Sequence, residues 1–293
     1  MTALELTAQR QAAWSATANA LKATLDRTRW TTFALSILGA LLATIAAQCV
    51  GDVRWWFAMV GAAVFACGTF LTSRLMGADR IAAWARARAA SEALKREAFK
   101  CAARAAPYED DATRMALLNT ERGKIEDAVL DLMGKEVLPK SLGTMPTADL
   151  SPEAYIAARI TEQVDEFFEI KAEAYRILAA RLGWIEFGLA LAATMITAVA
   201  GAVDKNSLPG QFDFVALAAV LTTISGAIVA HMEAARYSFL VTTYRATARR
   251  LKNELAAASV PFTIPSTQWS EFVGRCEAIF ADESGGWLAK WTK

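Results

Sequence analysis

The side chains best placed to do chemistry in this sequence sit inside its most apolar stretches. Residues 182–203 carry one charge, Glu186, and residues 214–232 carry none beyond whatever His231, the only histidine, holds. An ionisable group in hydrocarbon costs about 2.5–3.5 kcal/mol at the bilayer centre and less near the interface, so it marks a partner or a pathway. Glu186 lies 18 residues before Asp204 and His231 lies 18 after Asp213, which puts the two at one depth if the stretches run antiparallel. Three uses follow. Glu186 faces His231, with the imidazole or Arg181 offsetting its charge; or it snorkels to the headgroups; or carboxylates from several copies ring a cation-selective pore mouth. Neutral polar groups at membrane depth, Gln48, Thr44, Thr194, Thr197, Thr222, Thr223 and Ser225, either line a wet path or bond back to their own helices.

Enzymatic chemistry is not expected. No nucleophile elbow, phosphate loop, H-E-x-x-H or dinucleotide fingerprint is present. The acidic trio Glu109-Asp110-Asp111 follows Pro107 at a helix start, where carboxylates favour the helix dipole. The four cysteines, Cys49, Cys67, Cys101 and Cys276, have no C-x-x-C spacing and read as small apolar fillers or free thiols. No metal or cofactor is implied, and a net charge of +1 argues against nucleic acid as a partner.

These residues must be positioned by membrane helices. Residues 31–51, 55–73, 182–203 and 214–232 are four nearly charge-free windows of 19 to 22 residues, with nearly all charge outside them. A hydrocarbon core of about 30 Å needs roughly 20 apolar residues as helix. The predicted fold is an all-α membrane protein with four crossings in two hairpins, extended outside the bilayer by long helices. Trp30, Trp55, Trp56 and Trp184 sit at crossing ends as interfacial anchors. No small-residue cleavage pattern follows the first apolar run, so no cleaved signal peptide is expected.

Along the chain, Thr2-Ala-Leu-Glu5 is a capping box opening a helix that can run straight into the first crossing. The second crossing is expected to continue as a long basic helix ended by Pro107, followed by an amphipathic helix near 111–133. Residues 134–152, with three prolines and two glycines, read as a linker between a first unit, 1–133, and a second, 153–293. Ser151-Pro152 starts the next helix, whose stripe Ile156, Ile160, Val164, Phe167, Ala174 and Leu178 has near-heptad spacing. The fourth crossing is expected to run on to about Ala258, and a last helix to span roughly 267–282. Small-residue rows, Gly39-Ala43-Ala47, Ala58-Ala62-Ala66, Ala190-Thr194-Ala198 and Ala218-Thr222-Gly226-Ala230, suit close packing within the unit or between copies. Basic residues number 4, 17 and 8 in the N-terminal segment, residues 74–181 and the tail, against Arg54 and Lys205 in the short loops. Both termini are therefore expected to be cytoplasmic.

The halves look related. Arg27, Trp30, Phe33 and Leu35 match Arg181, Trp184, Phe187 and Leu189 at an offset of 154; Arg88, Leu94, Lys95 and Glu97 match Arg245, Leu251, Lys252 and Glu254 at 157. The second half, with Tyr155-x3-Arg159-x3-Gln163 before a crossing, Tyr244-Arg245 after the next, and Glu277-x5-Glu283-x3-Trp287 in the tail, resembles the SLATT proteins. These are bacterial two-helix membrane effectors associated with nucleotide-signalling modules. The first half, with Gln9-Arg10-Gln11 and Trp14, is similar to another subtype of that family. The resemblance implies an oligomeric, pore-forming or membrane-perturbing effector of the bacterial inner membrane, activated by a separate nucleotide-sensing protein. It transfers no catalytic residues. The alternative is a membrane scaffold or signalling adaptor that does not conduct.

Overall fold

In the computed structural model, which describes residues 1–139, 141–202, 213–258 and 261–291 with side chains to 286, every regular element is a helix among the described residues. Helix α1 (Ala3–Gln48) opens on the expected capping box: the Thr2 amide donates to Glu5 Oε2 at 2.8 Å, and the Glu5 amide to Thr2 Oγ1 at 3.1 Å. With no proline and no glycine before Gly39, α1 continues unbroken for 46 residues. Helix α2 (Gly51–Leu75) is about 37 Å long at 1.5 Å per residue, enough to cross a bilayer.

The second crossing does not run on as one helix. It stops at Met76, and helix α3 (Ala78–Ala102) begins after Gly77. Nor does Pro107 end α3. Arg104 takes a left-handed conformation (φ 51°), its amide bonds Cys101 O, and the Ala105 amide bonds Lys100 O, a Schellman end five residues ahead of the proline. Helix α4 (Arg114–Asp127) is shorter than expected and gives way to a 3-10 turn at Leu130–Leu132.

Ser151 caps helix α5 (Pro152–Tyr155), accepting from the Ala154 amide at 3.2 Å. The chain then winds as wide π turns over Ile156–Thr161 and Gln163–Phe168 before helix α6 (Glu169–Ala202). This corrects the expected seam. The buried row is Tyr155, Ile160, Val164, Phe168 and Ala172, stepping by four or five, because a π turn holds more residues than an α turn. Ala174 of the expected row is exposed. Helix α7 (Phe214–Ala235) also stops where continuation was expected, at left-handed Arg236 (φ 54°), and helix α8 (Tyr237–Ala257) follows. Helix α9 (Thr267–Trp291) is longer than expected, carrying Gly285 and Gly286 within it.

The chain forms two compact units that cut across its sequence halves. One comprises Met1–Thr24, Ala78–Glu173 and Val241–Lys293; the other Leu25–Gly77 and Ala174–Leu240. The first has an ordinary core of large apolar side chains, including Trp14, Leu94, Phe99, Leu118, Leu251, Trp269 and Phe272. Leu94 and Leu251, paired by the sequence repeat, are both fully buried. The second unit is built the other way round. It buries Ala40, Ala46, Gly61, Gly68, Ala193 and Ala218 and exposes Trp56, Phe70, Trp184, Phe187, Leu191 and Met195. A water-soluble unit does not face large apolar groups outward over such an area. Four helices here are long and apolar enough to cross a membrane, and this is an all-α membrane protein. The anchors Trp30, Trp55, Trp56 and Trp184 are all exposed. The α1–α2 hairpin closes on Gly39, where a Cβ would meet the Phe65 ring at 2.9 Å. Most of the small-residue rows face outward instead: Ala43, Ala47, Ala58, Ala62, Ala66, Thr194, Ala198, Thr222, Gly226 and Ala230 are exposed. The expected loop around Asp204 and Lys205 lies outside the described residues.

Candidate functional site

Two polar constellations stand out, one in each unit. In the unit of polar helices, the π turns bring Tyr155 and Arg159 under α9. Arg159 makes a two-pronged pair with Glu277: Nε donates to Oε1 at 2.9 Å and an Nη to Oε2 at 2.7 Å. The Tyr155 hydroxyl donates to the same Oε1 at 2.9 Å. The paired side chains are 1% and 2% exposed, and the guanidinium lies between the rings of Phe280 (4.0 Å) and Phe99 (5.0 Å). Trp269 closes one side, its ring 5.5 Å edge-on from Tyr155 and its Nε1 donating to Ala103 O at 2.7 Å. Burial, reinforced by the Glu277 charge, raises the Tyr155 hydroxyl well above its ordinary range, so it stays a proton donor. Burial opposes the Arg159 charge, but Glu277 outweighs it and the guanidinium stays protonated. This is a buried clamp holding α9 to the start of the α5–α6 run.

The stretch that begins at Tyr155 and passes beyond Glu277 is also the stretch that matches a known family: residues 155–287 fit the SMODS and SLOG-associating 2TM effector domain 1, or SLATT domain. The second half of the chain is therefore similar to the SLATT domain. Residues 12–116 match a family described as a protein of unknown function (DUF4231). The two matches fall on either side of residues 134–152. No curated protein and no solved structure matches the chain.

The remaining motif residues of the SLATT half are spread along the same unit. Tyr244 is buried against the rings of Phe167 (5.6 Å) and Phe168 (5.7 Å). Arg245 makes an exposed pair with Glu173 at 3.2 Å. Gln163 is half-buried on the second π turn, and Glu283 is buried on α9. The side chain of Trp287 lies outside the described residues. Sequence reading missed the flanking rings Phe99, Phe280 and Trp269, and also Lys95 on α3, which feels the charges of Arg159 and Glu277.

Burial, with Arg159 nearby, lowers the Lys95 ammonium to about 8, against partial support from Glu92 and Glu277. An unfolded lysine keeps its proton to 10.5, so between these values the folded chain binds fewer protons. Stability from this group therefore rises as pH climbs from about 8 to 10.5, and the full cost of the charge is felt below 8. Lys95→Met should raise the thermal midpoint at pH 7, and its advantage over wild type should shrink by pH 10. An advantage independent of pH would refute the assignment.

In the membrane unit, Glu186 and His231 do not face each other. Glu186 accepts from the Ser225 hydroxyl at 2.9 Å. His231 is buried against Trp30 (centroids 4.4 Å) and Phe33 (4.9 Å) of α1, its Nε2 3.3 Å from the Tyr237 hydroxyl. The reason is helical phase. Six residues separate Ser225 from His231, so at about 100° per residue they leave α7 roughly 120° apart. One face meets α6 and the other meets α1. Gln48 is engaged by two bonds at 2.9 Å, donating to Asp213 O and accepting from the Asp213 amide, which ties the end of α1 to the start of α7. Thr44, Thr194, Thr197, Thr222 and Thr223 each donate to the carbonyl four residues back in their own helix. None of these hydroxyl protons is left for an ion path.

Proposed function

We propose that copies of this chain assemble in the bacterial inner membrane, termini on the cytoplasmic side, and open an aqueous path between subunits. In this reading it is the effector of a defence response, switched on by a separate nucleotide-sensing protein, and no catalytic step is involved. Four helices of membrane-crossing length and the match of residues 155–287 to the SLATT effector domain support this reading. The observation carrying the rest is the outward set of small-residue rows on the crossings. In lipid, helices associate through close backbone approach at small residues, and rows left uncovered by the chain's own helices suit a second copy. The back-bonded threonines support a path between copies rather than through one.

Gly226 offers a clean test of assembly. A Cβ there meets nothing within 4 Å inside one chain, so Gly226→Ile should fold normally yet shift the detergent-solubilised protein toward monomer. Light scattering coupled to size exclusion reads this out, and an unchanged oligomer would argue against that face. Conduction is tested by dye and ion release from liposomes carrying the purified protein, with and without proteins encoded beside it. Release no faster than from empty liposomes would leave the scaffold reading in place. If Glu186 carboxylates ring the pore mouth, Glu186→Gln should reduce cation preference in planar bilayers. Unchanged selectivity would remove the ring, leaving Glu186 as the acceptor that satisfies Ser225.

A further inference from the structure

The unit of polar helices holds a cleft of about 480 Å³ that neither the clamp nor the crossings use. One wall is α1, through Gln11, Ser15, Ala16 and Asn19; the opposite wall is residues 137–139 and 141–145; Lys95 of α3 reaches in between. The segment is held in place. Arg10 makes a two-pronged pair with Glu136 at 2.9 and 2.8 Å and a further pair with Glu126, and the Val137 amide donates to Thr17 Oγ1 at 2.9 Å. Gly143, in a left-handed conformation (φ 63°), turns the chain at the rim.

The lining has an uneven chemistry. Val137, Leu138, Pro139, Leu142 and Met145 give it an apolar wall, and Ser15, Asn19, Ser141 and Thr144 supply neutral donors. Among the described residues no carboxylate lines it, and Lys95 is its one cation. Lys95 also has no hydrogen-bond or ion-pair partner among the described residues; the nearest carboxylates act on it only at longer range. A half-buried ammonium without a protein partner among the described residues, beside hydroxyls and an apolar wall, is the recognition chemistry of an anion on an apolar body.

We propose that this cleft binds a small amphipathic molecule carrying one anionic group, a carboxylate or a phosphate monoester, paired with Lys95 and packed against residues 137–139 and 141–145. Among the described lining residues Lys95 is the one cation, and this suits one anionic group better than a chain of phosphates, which calls for several cations or a metal ion. The occupant would bridge α1 to residues 137–139 and 141–145, and α1 is the helix that continues to Gln48 as the first crossing. The site therefore lies on the element through which a soluble molecule could bias the membrane unit.

The test uses the whole detergent-solubilised protein and pyridoxal 5′-phosphate, an aromatic phosphate with an aldehyde. Its aldehyde condenses with a neutral lysine amine, losing water, and borohydride reduces the imine to a stable secondary amine mapped by peptide mass spectrometry. At pH 8, Lys95 should label several-fold faster than exposed Lys124. Millimolar benzoate or phenyl phosphate should slow labelling at Lys95 at least threefold without affecting Lys124, while uncharged benzamide should not. The ratio of benzoate to phenyl phosphate protection distinguishes the two anions. Ala16→Phe, which fills the cleft, should abolish protection, and Thr144→Leu on the opposite wall should do the same if the first variant folds poorly. Absence of protection, or equal protection by benzamide, would overturn the proposal.

Discussion

Glu277→Ala is expected to destabilise the polar-helix unit by about 3–5 kcal/mol, the cost of leaving a buried charge without its partner. The Arg159 guanidinium is 1% exposed and spends two donors on Glu277, and nothing else described lies within bonding reach of it. The faces of Phe99 and Phe280 attract the cation, but cation–π contacts are worth only about 0.5–2 kcal/mol and cannot replace a carboxylate. Glu277→Gln should cost less, because it keeps an acceptor for the Tyr155 hydroxyl. The informative variant is the double substitution Arg159→Met with Glu277→Leu. Replacing both charges by apolar groups of similar volume is often neutral or stabilising, so it should recover most of the loss. Urea-induced release of α9, followed by limited proteolysis, reads all three. A loss below about 1 kcal/mol for Glu277→Ala would mean that solvent reaches the guanidinium. Full recovery in the double variant with altered membrane release would give the clamp a role beyond stability.

What could be read from sequence follows from how far each signal reaches. The crossings were legible because a charge-free window is a local property that only lipid or a deep core explains. The caps at Thr2 and Ser151 were legible for the same reason, since each involves residues three positions apart. Tyr155, Arg159 and Glu277 could be picked out as motif residues, but Arg159 and Glu277 are 118 positions apart, so their pairing could not. Glu186 and His231 show the limit differently. Depth along a crossing can be counted from its ends; rotation about the helix axis cannot, and rotation sends Glu186 to Ser225 and His231 to Trp30.

Where the backbone leaves regular α geometry, sequence periodicity misleads. The π turns stretch the buried row from a three-or-four step to a four-or-five step, so Phe168 rather than Phe167 occupies the core position. The stops after the second and fourth crossings were missed because neither carries a proline. One falls at Met76–Gly77, and the other relies on left-handed Arg236, a residue with no sequence preference for that conformation. These stops occupy corresponding places in the two halves, after the second helix of each hairpin. Equivalent breaks made by unlike residues are what a duplicated architecture produces when geometry is retained while its local cause drifts.

The second large effect is expected at Trp269. It is fully buried, its indole donates to the Ala103 carbonyl at the end of α3, and its ring contacts Tyr155, Phe262 and Phe272. Trp269→Ala should cost about 3–5 kcal/mol through the cavity and the lost contacts. Trp269→Phe keeps most of the ring contact and removes only the donor, so it should cost about 1–3 kcal/mol, the penalty for an unsatisfied buried acceptor. Trp184 is the control, because it is 74% exposed on the membrane unit. Trp184→Ala should leave urea-induced release of α9 where it is in wild type. It should instead shift the depth of the third crossing in liposomes, read by lipid-quencher accessibility of a reporter near residue 184, since an interfacial indole anchors a crossing rather than fills a core. If Trp184→Ala destabilised α9 as strongly as Trp269→Ala, the outward-facing aromatic surface would have to be covered by protein. The membrane assignment of that unit would then fail with it.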